Sequence, residues 1–207
     1  MWYFIGRTLS WIFLHSVVWL RVVGKDKIRA ARKRGGLMIV ANHNSYLDPP
    51  IFGVAFHKPI AFVARKTLFK KGFWGWIYPR LQAIPIDQDN ADLSSMRLII
   101  SELKKGRTVL IFPEGVRSPT GELGEAQPGV GLIVAKAKVP VFPMRAFGAY
   151  EAMPRGSSFP KLFSRVTAVA GDMIEFTDEE LAVRGREGYK QLSDRLMEAI
   201  EAIEEPV

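Results

Sequence analysis

Short apolar runs rich in β-formers alternate with helical patterns along this chain, and that alternation limits the possible folds more than any other feature. The runs are residues 37–41, 60–64, 83–86, 108–112, 139–144 and 166–170. Between two of them, residues 92–105 place Leu93, Met96, Ile99, Ile100 and Leu103 at helical spacing. Residues 128–138 form a second helical pattern, and 189–203 a third, with Leu192, Leu196, Ile200 and Ile203 on one face. Apolar strands separated by helices imply a largely parallel sheet covered on both sides. The expected fold is therefore α/β, a single domain with a mixed, mostly parallel sheet flanked by helices. A chain of 207 residues suffices for one core of that kind. Residues 148–158 are the expected long loop.

The amino-terminal stretch, residues 2–23, reads differently. It is mostly apolar, with Arg7 and Arg21 near its ends and an uncharged part, residues 8–20, of 13 residues. A spanning helix needs about 20 apolar residues. No small-x-small cleavage site follows, which argues against a cleaved signal peptide. Trp2, Tyr3, Trp11 and Trp19 are aromatics that favour a bilayer interface. The expectation is a helical segment over 1–23 lying on or shallowly inserted in a membrane, ahead of an α/β domain over 24–207. A single span and a buried core helix are the alternatives.

Charge points the same way. The net charge of +8 calls for an anionic partner, whether nucleic acid, phosphate or an anionic membrane. The positive charge is concentrated: residues 49–86 contain no Asp or Glu but carry Lys58, Arg65, Lys66, Lys70, Lys71 and Arg80. Phe52, Phe56, Phe62, Phe69, Phe73, Trp74, Trp76 and Tyr78 interleave with them. A solvated basic face is the simple explanation. A surface that meets anionic headgroups while its rings sit at the interface is the functional one. No recognisable nucleic-acid module accompanies the charge. With no cysteine, the chain has no disulfide framework, thiol nucleophile or cysteine zinc site. Its three histidines, His15, His43 and His57, are scattered and suggest no metal site.

His43 and Asp48 stand just after the first apolar run. Imidazole titrates near neutral pH, which suits proton removal. A carboxylate beside it fixes the tautomer and stabilises the imidazolium. On a regular helix the two side chains would splay apart by roughly 140°. They can meet only if the backbone bends between strand and helix. Asp48-Pro49-Pro50 favours such a bend, because a residue before proline avoids the α region and proline suits a first helical turn. The simpler alternative is an N-capping Asp48 beside a loop His43.

A second block, Phe112 to Ser118, follows the run at 108–112, so its polar groups emerge where open α/β sheets bind ligands. Arg117 offers a planar fork to phosphate. Glu114 can accept hydrogen bonds from a polyol, and Gly115 allows close backbone approach. Alone, this block is equally a turn with an exposed ion pair. Residues 84–90 and 139–144 are two further strand ends.

Taken in order, these blocks resemble the glycerolipid acyltransferase family, and within it the bacterial 1-acyl-sn-glycerol-3-phosphate acyltransferases. Asn42, His43 and Asp48 match its N-H-x4-D block. Phe112, Pro113, Glu114, Gly115, Arg117 and Ser118 match F-P-E-G-[ST]-R-S, with Val116 at the usual Ser or Thr. Residues 139–143 match the V-P-x-x-P strand. The second block usually ends in Asp-Arg, whereas this chain has Asp87-Gln88. Phosphate recognition would then fall on Arg117 and on Lys104 or Lys105.

The resemblance implies transfer of a fatty acyl group from a thioester of acyl-carrier protein or coenzyme A to the sn-2 hydroxyl of lysophosphatidic acid. His43 is the implied base and Asp48 its orienter. Asn42, Glu114, Gly115, Arg117, Ser118 and Lys105 are the implied substrate-binding residues. No cofactor is implied. Backbone N–H groups near Gly115, or at the helix start after Pro49, are candidates for stabilising the oxyanion. The expected location is the cytoplasmic face of the cell membrane, as a monotopic or peripheral protein. Gln88 keeps open another acceptor, such as glycerol 3-phosphate, a lyso-aminolipid or another lysophospholipid. A silent lipid-binding protein is the alternative from a different class, and intact His43, Asp48, Glu114 and Arg117 argue against it.

Overall fold

The computed structural model describes residues 1–70, 72–86 and 93–206. Three elements precede the central strand of the sheet. These are α1 (Trp2–Val17), β1 (Leu20–Val23) and α2 (Lys25–Ala31). Then come β2 (Leu37–Ala41), α3 (Asp48–Phe56), β3 (Ala61–Arg65), a 3-10 turn over Lys66–Phe69, α4 (Phe73–Arg80) and β4 (Ala83–Ile86). The chain continues with α5 (Leu93–Lys104), β5 (Thr108–Ile111), α6 (Pro128–Ala137), β6 (Val141–Phe147) and α7 (Ala149–Ala152). It closes with β7 (Val166–Ala170), α8 (Asp178–Leu181) and α9 (Gly185–Glu201). The strands form one seven-stranded sheet in the order β1-β7-β6-β2-β5-β3-β4.

All neighbouring pairs are parallel except β6 and β7, so the edge pair β7 and β1 runs against the rest. Every residue of β2 is buried, because it has strands on both sides and helices on both faces. Successive side chains of a strand point to opposite faces. Leu37, Ile39 and Ala41 accordingly join Leu14 of α1 and Ile51, Phe52 and Phe56 of α3 in one core. Met38 and Val40 join Ile99 and Leu103 of α5, Ile133 and Val134 of α6, and Leu196 and Ile200 of α9 in the other. Ile39 is fully buried. Cutting a side chain of this size to alanine typically costs about 2–5 kcal/mol.

The architecture agrees with the expected class, but the amino-terminal stretch does not keep one conformation. Its helix stops at Val17, and Leu20–Val23 is a strand paired in parallel with β7. Four apolar and basic residues that continue a helical pattern thus become a sheet edge. The 148–158 loop opens with the helical turn α7, and α9 begins at Gly185, four residues before the expected start. Asp92, the expected first residue of α5, and the Asp87-Gln88 pair lie outside the described residues. Among the described residues no helix is long and apolar enough to cross a membrane. Within α1 only Leu14 is buried, while Phe4, Leu9, Trp11 and Ile12 are exposed.

Candidate active site

β2 and β5 are parallel neighbours, so the segments that follow them leave the same edge of the sheet. One carries His43 and the other Glu114. After β2 the backbone folds back and enters α3 at Asp48, with prolines in the first helical turn. This bend brings the two side chains together: His43 Nδ1 lies 2.9 Å from Asp48 Oδ2. The same oxygen accepts the backbone N–H groups of Asn44 and Ser45, each at 2.8 Å. Asp48 is completely buried. Burial pushes its carboxyl up from the ordinary range, opposed by the hydrogen bonds from His43, Ser45 and Asn44. A carboxylate on Nδ1 holds the proton there and leaves the lone pair on Nε2. The imidazole stacks on Phe112, with ring centroids 4.0 Å apart and planes 10° from parallel.

The backbone of His43 is held as firmly as its ring. Its N–H donates to Glu114 Oε2 at 3.0 Å, and its carbonyl accepts the N–H of Ser118 at 2.8 Å. Glu114 Oε2 therefore spans the two blocks, and the backbone N–H of Gly124 also donates to this carboxylate. Glu114 is 5% exposed. Burial pushes its carboxyl up to about 7, against the pull of the His43 and Gly124 hydrogen bonds. Its Oε1 is buried without a hydrogen-bond partner among the described residues. Gly115 adopts φ +76, a conformation other residues seldom take.

The other implied site residues are placed unevenly. Arg117 lies over the ring of Tyr46, with the guanidinium carbon 3.6 Å from the centroid. Stacking uses the guanidinium face and leaves its N–H edge for an anion. Asn42 is not at the site's surface: its amide bonds both the N–H and the carbonyl of Ala146, at 2.8 and 2.9 Å, tying β2 to β6. Ser118 Oγ accepts the N–H of Gly121 at 3.0 Å, which keeps its O–H as a donor. Lys105 is in the wrong place altogether. It follows α5 at the amino end of β5, opposite His43, and pairs with Glu102 at 2.8 Å. The expected roles of Asn42 and Lys105 in substrate binding are corrected accordingly. The oxyanion expectations are narrowed too. The Gly115 N–H donates to the Phe112 carbonyl, and Pro49 and Pro50 offer no N–H at the helix start.

Next to His43 opens a cleft of about 590 Å³. Val63, Ile86, Met96, Ile99, Ile111, Val130 and Ile133 make it apolar, and Glu114, Gln127 and Arg186 add polar groups. Sequence reasoning missed these apolar walls and also Tyr46. Met96 and Ile99 show the helical spacing of any core residue, so no signal separated cleft from core. Among the described residues, no three His, Asp or Glu side chains converge to hold a metal ion.

Comparison with known proteins puts this geometry in context. The model of the Acyltransferase family matches residues 20–146. A chloroplastic 1-acyl-sn-glycerol-3-phosphate acyltransferase of Arabidopsis thaliana is 26% identical over 157 residues, 75% of this chain and 43% of its own length. The 1-acyl-sn-glycerol-3-phosphate acyltransferase of Pseudomonas aeruginosa is 34% identical over 121 residues, 57% of this chain and 46% of its own. This chain thus spans less than half the length of those two relatives. The crystal structure of the 1-acyl-sn-glycerophosphate acyltransferase of Thermotoga maritima superposes with a TM-score of 0.70 at 26% identity, over 99% of this chain and 80% of that one.

Proposed function

The chain belongs to the acyltransferase family, and from that premise we propose that it moves a fatty acyl group from an acyl thioester to the sn-2 hydroxyl of 1-acyl-sn-glycerol 3-phosphate, forming phosphatidic acid. The observation that carries this reading is the His43–Asp48 contact at the mouth of an apolar cleft. His43 Nε2 takes the proton of the acceptor hydroxyl as its oxygen attacks the thioester carbonyl. Asp48 keeps the proton on Nδ1 and stabilises the imidazolium. When the tetrahedral intermediate collapses, the C–S bond breaks and the imidazolium returns the proton to the thiolate. The donor thiol is that of acyl-carrier protein or coenzyme A.

A cleft of about 590 Å³ falls within the range of ligand sites, and its apolar walls suit the acyl chain. Arg117, stacked on Tyr46, presents its edge to the acceptor phosphate. Purified protein given 1-acyl-sn-glycerol 3-phosphate and each acyl thioester should produce phosphatidic acid by mass spectrometry. Turnover of a different lysolipid in its place would redirect the acceptor assignment, which Gln88 leaves less constrained than an arginine would.

We further propose that the reaction takes place at the cytoplasmic face of the membrane, with the protein monotopic or peripheral. The exposed apolar side chains of α1 support this, as does their continuity with α4. Trp2 meets Trp76 edge-on at 4.9 Å, and Phe73 and Trp74 beside it are exposed. Removing residues 1–20 would also remove core residues Leu14, Val18 and Leu20. The cleaner test is Leu9→Ser/Ile12→Ser, which alters only exposed positions. Flotation with vesicles should weaken in that variant, and undiminished flotation counts against α1 as an anchor.

A further inference from the structure

A second concave site lies at the far end of α3 from His43. It is a bowl of about 600 Å³ between α1, β1, α2 and the carboxyl end of α3. Arg21, Lys25, Arg29 and Arg32 line it together with His15 and His57. Among the described residues no carboxylate lines it. Of the four cationic chains only Arg29 has an ion-pair partner among the described residues, Asp26 at 3.0 Å. A smaller hollow of about 210 Å³ shares Trp11, Val54 and His57 with the bowl and reaches Arg7. Arg7 bonds His57 Nδ1 at 3.0 Å, while its Nε is buried without a partner.

Like charges gathered in one concave face sum to a positive field that attracts an anion. The groove lined by Lys27 and Arg195 is different, since it also contains Asp172, Glu175 and Glu204. The imidazole reports the same excess. Burial, and then Arg7, Arg32, Lys25 and His15, hold His57 below the ordinary histidine range. Its Nδ1 accepts from a guanidinium, which requires the unprotonated nitrogen.

We propose that this bowl holds the phosphodiester of an anionic diacyl phospholipid other than the molecule reacting at His43. Phosphate chemistry follows from the arginines, whose forks match it. The lipid source follows from the wall: Trp11 lines the bowl and is itself exposed, on a helix that also exposes Leu9 and Ile12. A headgroup in the bowl can therefore lay its chains along α1. The reacting lysophosphatidic acid cannot be the occupant while its hydroxyl meets His43, because the 9 residues of α3 separate the two sites by about 13 Å. This inference rests on α1 lying at a bilayer.

The test follows the His57 ring resonances by NMR in the full-length protein. The titrants are dihexanoyl phosphatidylglycerol, dihexanoyl phosphatidylcholine and inorganic phosphate. The glycerol lipid should move His57 and raise its pKa, at least tenfold more tightly than inorganic phosphate, while the choline lipid leaves it in place. Arg21→Gln/Lys25→Gln should weaken that response about 30-fold. Lys104→Gln/Lys136→Gln, which removes the same charge from a different groove, should keep it. No response of His57, or an equal loss in both variants, overturns the site. Equal affinity for inorganic phosphate overturns the lipid assignment. Vesicle flotation separates the premise from the inference: a protein that fails to float yet answers to the soluble lipid sinks only the membrane placement.

Discussion

Strand β5 has a glutamate near each end, and the two occupy opposite situations. At its amino end Glu102, 8% exposed, is bonded by Lys105 and Arg107, and Arg107 in turn bonds Gln82. Those cations hold its carboxyl below the ordinary range, the Lys105 hydrogen bond most strongly. At the carboxyl end Glu114, 5% exposed, has backbone donors and a neighbouring Asp48, and burial lifts it to about 7. The two are covered to a similar degree, but Glu102 lies shallow beneath Lys105 and Arg107, whereas Glu114 is set deep with no cation of its own. Depth and cation differ together. A carboxylate given its own Lys and Arg is structural and electrically finished. One left with N–H donors beside an imidazole remains responsive near neutral pH, which is where pKa-perturbed groups mark a working site.

The strongest way to break this contrast is at His43, whose backbone N–H donates to Glu114. His43→Ala should lower turnover by about 10²- to 10⁴-fold with the fold retained, because the base is absent while neither core cluster includes it. Asp48→Asn should cost about 10²-fold or more in kcat, with a smaller change in KM, since an amide cannot stabilise the imidazolium. Steady-state kinetics on folded protein decide both. Near-normal turnover in folded His43→Ala would remove the site shared by the carboxyl ends of β2 and β5 from the chemistry.

The pH dependence of stability sharpens the contrast, because the two glutamates have opposite signs. Glu114 has a folded pKa of about 7 against an ordinary 4.5. Between those values the native state binds a proton that the unfolded chain has lost, so its contribution to stability falls as pH rises. The difference amounts to a few kcal/mol, at about 1.4 kcal/mol per unit. Glu102, whose pKa is lowered, contributes stability above its ordinary value that is lost as pH falls through the folded one. Denaturation of Glu114→Gln should therefore show less loss of stability than the parent between pH 4.5 and 7. Glu102→Gln should be destabilised at neutral pH, with the deficit narrowing in acid. Parallel curves for all three proteins would defeat the distinction.

Much of this arrangement was legible in sequence where one residue type meets one physical demand. The 37–41 run is apolar at every position, and it is the strand buried on both faces. Asp48-Pro49-Pro50 signals the bend that lets His43 and Asp48 touch. Other parts follow from tertiary neighbours that no local pattern records. Leu20–Val23 becomes a strand because β7 offers it an edge. Asn42 belongs to a matched block, yet its amide is consumed by Ala146, a residue 104 positions away. Tyr46 lies inside the N-H-x4-D block, and only the fold places it under Arg117.

Lys105 is the sharpest instance, and it yields the smallest predicted effect. The phosphate had to be met by some cation, and Lys105 was available by charge alone. In an α/β unit, however, the helix runs against the strand that follows it, so the end of α5 lies at the edge of the sheet opposite His43. Lys105 is bonded to Glu102 there and is exposed, with 63% of its side chain in solvent. Because Lys105 is exposed and Glu102 keeps a second cation, the pair is worth about 1 kcal/mol. Lys105→Ala should leave the KM for the acceptor unchanged and lower stability by no more than about that amount, because Arg107 still serves Glu102. A marked rise in acceptor KM in this variant would place an anion site at the amino end of β5, and the division between a structural and a working end of the strand would fail.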